Sequence, residues 1–292
     1  MKNINKEQII GDLINIGLKE NDVVYVSSNL LRVGYFENNR EAFYNNWVEI
    51  FLKVIGNGGT IVCPAYSNFF IKLKKNKKII FNYDSSTTSG SLSKALLKYK
   101  NSKRSSHPTN SLVAVGKNAN KIIEKHNENS LSYTPFKKII DLNGKGLLIG
   151  NIGKNGFFPY HLVQEELGIT KKHLFAGFFQ SYYYDKNYQI KLFTRVDYGG
   201  CDISNYNFIQ DLIEINALKI GRIGNAEAII YDGKKIYNFF HDIFKSKSEK
   251  IKCSDKNCLT CQFLFEKKKL LLLKILFFNF SRYFKSLIKL LS

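Results

Sequence analysis

Two short β-rich runs, Val23-Val24-Tyr25-Val26 and Thr60-Ile61-Val62-Cys63, flank a stretch in which Phe43, Trp47, Phe51, Val54 and Ile55 recur at helical spacing. Turn chemistry closes each piece. Asp22 leads into the first run and Ser27-Ser28 ends it; Gly56-Asn57-Gly58-Gly59 stops the helix and Pro64 ends the second run. A strand returned through a crossover helix lies parallel to its predecessor, so this order predicts an α/β fold with a mostly parallel central sheet. A further helix precedes it, with Ile9, Ile10, Leu13 and Ile14 on one face and Gly17 as its stop.

The chain continues in the same vein, with no internal repeat. Lys72 to Lys78 is a basic loop, and Ser85 to Ser93 is rich in hydroxyls before a helix marked by Leu92, Ala95, Leu96 and Leu97. Short helices are expected over 119–125 and from Pro135, then a strand at Gly146-Leu147-Leu148-Ile149-Gly150. Phe157 to Gly168 reads as a helix with Pro159 near its start and glycine at its end. Aromatic residues alternate like strands between Tyr182 and Asp197. Phe208 to Leu218 reads as helix, and Gly221 to Ala226 as the approach to strand Ala228-Ile229-Ile230-Tyr231.

Two stretches carry candidate chemistry. In Lys103 to Gly116, Pro108 pushes His107 out of helical geometry, and an apolar strand follows Ser111. An imidazole and several hydroxyls thus enter the sheet on a loop, as a reactive group would or as a turn with a capping histidine would. His161 falls in the first turn of its helix, where the helix dipole favours the neutral imidazole. Gln164 and Glu165 follow on the same face, so the carboxylate is placed to hold the ring, although an ordinary surface pair has the same spacing.

Taken together, Val23 to Gly34, Gly58 to Pro64, Arg104 to Gly116, Thr134-Pro135-Phe136, Gly144 to Gly150, the His161 helix and Gly221 to Ala226 resemble, in the same order, the aminoglycoside 3-N-acetyltransferase family. That resemblance spans roughly residues 5–245. It implies an acetyl-CoA-dependent N-acetyltransferase acting on an amine of an amino sugar, with drug resistance as the family default. The fold implied is of the antibiotic N-acetyltransferase type, not the GNAT type, whose Arg/Gln-x-x-Gly-x-Gly/Ala pattern finds only Gln8-Ile9-Ile10-Gly11 here. It implies that His161 is the catalytic base with Glu165, or less well Gln164, as its orienting partner. His107 would line the site, and Ser27, Ser28, Arg104, Ser105 and Ser111 would bind coenzyme A. Three positions depart from the family pattern: Gln164 where glutamate is usual, Phe158 where threonine is usual, and Ser27 where histidine is frequent.

A formal charge of +20 points to an anionic partner. It favours a nucleotide- or lipid-linked amino sugar of surface-polysaccharide synthesis as acceptor. A catalytically idle membrane-surface or nucleic-acid-binding protein on the same fold is the alternative, though no nucleic-acid-binding motif is present. The first 250 residues form the expected catalytic domain, and 251–292 a cysteine-containing linker and basic tail. Over 262–292 the pattern is a basic amphipathic helix suited to lying on an anionic membrane, which would place a cytoplasmic protein peripherally on the inner face. No signal peptide or transmembrane helix is expected. Cys253, Cys258 and Cys261 are spaced C-x4-C-x2-C, as in one class of iron–sulfur ferredoxins, but no fourth ligand follows. Cys63 and Cys201 fall in the core region, so no metal site is expected.

Overall fold

The computed structural model describes residues 4–37, 39–172, 176–246 and 249–265. The expected strand–helix–strand opening is present: β1 (Val23–Ser28), then a helix over Arg40–Ile55, then β2 (Thr60–Pro64), the two strands paired in parallel. Further strands are β3 (Phe70–Ile71), β4 (Ile80–Phe81), β5 (Lys103–Arg104), β6 (Leu112–Gly116), β7 (Lys145–Ile149), β8 (Phe179–Tyr184), β9 (Ile190–Thr194), β10 (Leu218–Ile223) and β11 (Ala226–Asp232). Seven of them form the main sheet in the order β10-β11-β7-β1-β2-β6-β5. Its centre, β7-β1-β2, is parallel, and antiparallel pairs extend it on both sides. A small second sheet joins β3, β4 and β9 to β8, which accounts for the alternating aromatics near Tyr182.

Helices cover both faces. On one side lie α1 (Lys6–Ile16), α2 (Arg40–Ile55) and α3 (Ser91–Lys98). On the other lie α4 (Ala119–Ile123), α5 (Pro135–Asp141), α6 (Phe158–Glu166), α7 (Ile209–Glu214) and α8 (Gly233–Lys245), and α9 (Leu259–Phe265) follows. The period-two alternation of the central strands sorts the cores. Val24 and Val26 join Leu13, Phe43, Trp47 and Phe51 in one, while Val23 and Tyr25 join Phe136, Tyr160 and Phe240 in the other. Caps set the helix starts: Asn39 accepts from Glu41 N at 2.8 Å and Ala42 N at 3.0 Å, and Asp232 accepts from Lys235 N at 2.9 Å.

One local reading changes. The helix expected to reach Leu218 ends at Glu214, and Leu218–Ile223 is a strand hairpinned onto β11 with Gly224 at positive φ in the turn. Leu218, Ile220 and Arg222 pair register by register with Tyr231, Ile229 and Glu227, so non-local hydrogen bonding decides that segment. Among the described residues no helix is long and apolar enough to cross a membrane. The basic amphipathic pattern of 262–292 lies almost wholly outside the described residues, which end at 265.

Candidate active site

The carboxyl ends of β1 and β2, with the loop between β7 and α6, surround a cavity of about 400 Å³. In open α/β sheets ligands bind at this end, beside the strand where the chain order reverses, and here that strand is β1. The volume is that of an ordinary small-molecule site. Ser27, Ser28, Tyr66, Tyr133, His161 and Asp202 are among the residues lining it.

His161 is the fourth residue of α6, with Pro159 in the first turn. Its Nδ1 lies 2.9 Å from Gln164 Oε1, and its Nε2 lies 2.7 Å from Asp202 Oδ1. The Gly200 amide also points at Nδ1, at a longer 3.3 Å. Tyr133 stacks on the ring at 5.1 Å between centroids. Burial opposes a charge on this imidazole, but the Asp202 carboxylate and the Gln164 carbonyl outweigh it and raise the pKa. The Asp202 carboxylate thus acts against the helix dipole, which by itself would lower that value. Gln164 Oε1 and Asp202 Oδ1 put an acceptor at each ring nitrogen, while the Gly200 amide at Nδ1 suits the ring with that nitrogen unprotonated.

Glu165 is not the partner of His161. Its carboxylate accepts from Tyr133 N at 2.8 Å and Thr134 Oγ1 at 3.3 Å, at the start of α5. Burial, with the neighbouring Asp197 carboxylate, pushes Glu165 up to about 8. The charge that holds the ring comes from Asp202, on the loop after β9, and the residue that follows at helical spacing, Gln164, is neutral. Asp202 also accepts from Gly156 N at 3.2 Å and keeps about 45% of its side chain exposed. Sequence reading missed it because it lies 41 residues from the histidine.

Ser27 Oγ accepts from Asn151 Nδ2 at 2.9 Å and Asn155 Nδ2 at 2.6 Å. Two incoming amides occupy its acceptor capacity, so its own hydroxyl hydrogen is left to donate. Ser27 and Ser28 both lie on the cavity wall.

The stretch from Arg104 to Ser111 does not line this cavity. Arg104 is buried, donating Nε to Ser111 Oγ at 3.0 Å, NH1 to Tyr83 O at 3.1 Å and to Ser85 O, and NH2 to Ala65 O at 2.8 Å. Its guanidinium also lies 5.0 Å from the Phe81 ring centroid. Ser111 donates to Ala65 O at 2.6 Å, and Ser105 Oγ accepts from Leu112 N at 2.8 Å. His107 is wholly buried, capped by the Thr109 and Asn110 amides at 3.3 and 3.0 Å, and stacked on His126 at 4.6 Å. Burial, with the charge of Arg195 adding to it, pushes His107 down to about 3. These four residues were expected to bind cofactor or line the site. They form instead an internal brace that ties the 65–67 and 83–85 loops, and so the cavity rim, to β6.

A second hollow of about 300 Å³ adjoins, lined by Arg32, Gly150, Arg222 and Asn225 among others. Ser28 pairs with Ile149 and lines the first cavity, while Gly150, the next residue, lines the second.

The profile of a family described as aminoglycoside 3-N-acetyltransferase matches residues 25–245. Aminoglycoside N(3)-acetyltransferase IX of Micromonospora chalcea is 22% identical over 263 residues, covering 81% of this chain and 92% of that protein. The SPbeta prophage-derived aminoglycoside N(3')-acetyltransferase-like protein YokD of Bacillus subtilis (strain 168) is 30% identical over 142 residues, 41% of this chain and 50% of that one. Among solved structures, AAC-IIIb in binary complex with CoASH superposes with a TM-score of 0.70 at 18% identity, covering 84% of this chain and 98% of that chain. The apoenzyme of aminoglycoside acetyltransferase AAC(3)-IVa gives 0.71 at 20% identity, covering 90% and 97%. The fold is therefore theirs.

Proposed function

The chain belongs to the aminoglycoside 3-N-acetyltransferase family, an acyltransferase family, and from that premise we propose that it carries an acetyl group from acetyl-CoA to an amine of an amino sugar at the His161 cavity. The observation that carries this reading is the imidazole held between two oxygens, a ring prepared to accept and hold a proton. An amino-sugar amine is largely protonated at neutral pH and must lose a proton before it attacks. The nitrogen then adds to the thioester carbonyl carbon, and the C–S bond breaks as the intermediate collapses to the amide. Of the two protons the ammonium loses, one passes through the His161–Asp202 pair to the leaving thiolate and the other goes to solvent. The Ser27 hydroxyl, with its acceptor capacity filled by two amides, is a donor for the oxyanion formed on the way. Arg32 and Arg222, in the adjoining hollow, suit the phosphates of coenzyme A.

The wall of the main cavity carries the Asp202 carboxylate and no lysine or arginine among the described residues. That polarity attracts an ammonium group locally even though the chain as a whole carries +20. It favours a free polycationic amino sugar as acceptor. The overall charge supports a second reading, a nucleotide- or lipid-linked amino sugar of polysaccharide synthesis. Thiol release from acetyl-CoA, measured against a gentamicin-type aminoglycoside and against UDP-linked amino sugars, separates the two acceptors. Release with neither would favour the catalytically idle scaffold. His161→Ala should lower turnover by about 10²-fold or more, and near-normal release from that variant would end the mechanism. The basic amphipathic pattern of 262–292 supports a peripheral position on an anionic membrane. Flotation of the full chain, but not of one ending at Cys261, with anionic liposomes tests it.

A further inference from the structure

Four cysteines that the reaction does not use converge beside the active site. Cys201 lies on the loop after β9, Cys253 and Cys258 precede α9, and Cys261 is within it. Their sulfur atoms all lie within 4.8 Å of one another, and Cys253 Sγ and Cys261 Sγ are 3.7 Å apart. All four are free thiols; three are buried, and Cys258 is partly exposed. The fourth ligand that C-x4-C-x2-C lacks downstream is thus supplied from upstream by Cys201.

We propose that Cys201, Cys253, Cys258 and Cys261 bind one zinc ion in a closed, tetrahedral, structural site. A zinc–thiolate bond of about 2.3 Å places neighbouring sulfurs of a tetrahedron about 3.8 Å apart. The Cys253–Cys261 separation, 3.7 Å, already has that length, and no pair of the four is farther apart than 4.8 Å. A single ion fits this spacing. An iron–sulfur cluster does not, because its cysteines are spread over several irons with sulfide between them. The surrounding backbone is built for a thiolate. Cys253 N donates to Cys261 Sγ at 3.4 Å, and the turn between the ligands is closed by Cys258 N on Asp255 O at 2.9 Å and Asn257 N on Asp255 Oδ1 at 2.9 Å. Four soft sulfur ligands with no open position select zinc in a structural role.

The position of the site gives the ion a task. Cys201 is the residue before Asp202, whose carboxylate holds His161 Nε2 at 2.7 Å, and follows Gly200, whose amide faces Nδ1. Ser204 donates to Cys201 O at 2.8 Å and meets Tyr160 OH at 2.7 Å, so the same loop is tied to α6. The other three ligands come from the C-terminal segment, itself joined to the body through Tyr160 OH to Ile251 O at 3.3 Å and Asn207 to the carbonyls of Lys250 and Lys252. The zinc therefore clamps the C-terminal segment to the loop that positions Asp202.

Metal analysis of the purified full chain tests the site independently of any activity. About one equivalent of zinc per chain is expected, with replacement by cobalt(II) giving the intense thiolate-to-metal absorption of a tetrahedral four-thiolate site. Cys258→Ser, at the most exposed ligand, should lose the metal, whereas Cys63→Ala, in β2, should keep it. Since Cys258→Ser alone could unfold the tail, the thiol count of wild type is a second measurement. All four thiols should be protected from a mild thiol reagent, and titration with an organomercurial, which caps each of them as an S–Hg bond, should release the zinc in step with that capping. A chain containing no metal, iron in place of zinc, or a disulfide among these four cysteines would overturn the proposal. Zinc bound in full to a chain with no acetyl transfer would leave the site standing while the proposed function fell.

Discussion

Replacing Asp202 with asparagine removes a charge while keeping an oxygen where Nε2 of His161 needs one. Two unit charges about 4 Å apart interact by about 1 kcal/mol in water and about 4 kcal/mol at an effective dielectric constant of 20. The observed Nε2–Oδ1 contact is 2.7 Å, but about 45% of the Asp202 side chain is exposed, so screening pulls the value toward the lower figure. About 2 kcal/mol is a reasonable middle. His161 sits above the ordinary histidine value in the wild type, where the carboxylate outweighs its burial. A general base acts when neutral, so activity rises with pH through that raised pKa. In Asp202→Asn the rising limb of kcat/KM should move to lower pH, and the plateau should fall by about 10- to 10²-fold because the imidazolium loses its counter-charge. The assay is thiol release from acetyl-CoA across the pH range, with the amine acceptor varied. A rising limb that stays in place, or moves to higher pH, would refute the pairing as the source of basicity.

Gln164→Ala should cost more turnover than Glu165→Gln, because Gln164 touches the ring at 2.9 Å while Glu165 accepts from Tyr133 N and Thr134; kcat for the two variants checks the order. Glu165 is held up at about 8, against 4.5 for an ordinary glutamate. A folded-state pKa above the unfolded one means stability is fully present below about 4.5 and lost as pH rises through about 8. The melting temperature of the wild type should therefore fall across that window more than that of Glu165→Gln. Gly146→Ala should destabilise by about 1–3 kcal/mol, since a Cβ there would overlap the Tyr231 ring in the middle of the sheet; a denaturant titration reads this directly.

Much of the scaffold was legible from local pattern. The β-rich run of Val23 to Val26, the helical spacing of Phe43 to Ile55 and the glycines around Gly58 are decided by neighbours within a few residues, where sterics and backbone hydrogen bonding act. The order of those elements also made a parallel centre the economical topology, and it placed Ser27, Ser28 and His161 at one end of the sheet. The apolar character of Leu218 and Ile220 could not separate helix from strand, and pairing with β11 settled it. Contacts between distant segments were beyond reach for the same reason. An arginine–serine–histidine stretch reads alike whether its polar groups face a ligand or one another, and only burial showed that Arg104, Ser105, His107 and Ser111 satisfy each other and the backbone around them. The Asp202 carboxylate on His161, and Cys201 among the three C-terminal cysteines, depend on loops whose course is set by packing over the whole domain. Residue type and spacing determine what a segment can form and which groups are available. Which of those groups meet is decided by tertiary packing, because a charge or a sulfur acts over a few ångströms of space whatever its distance along the chain.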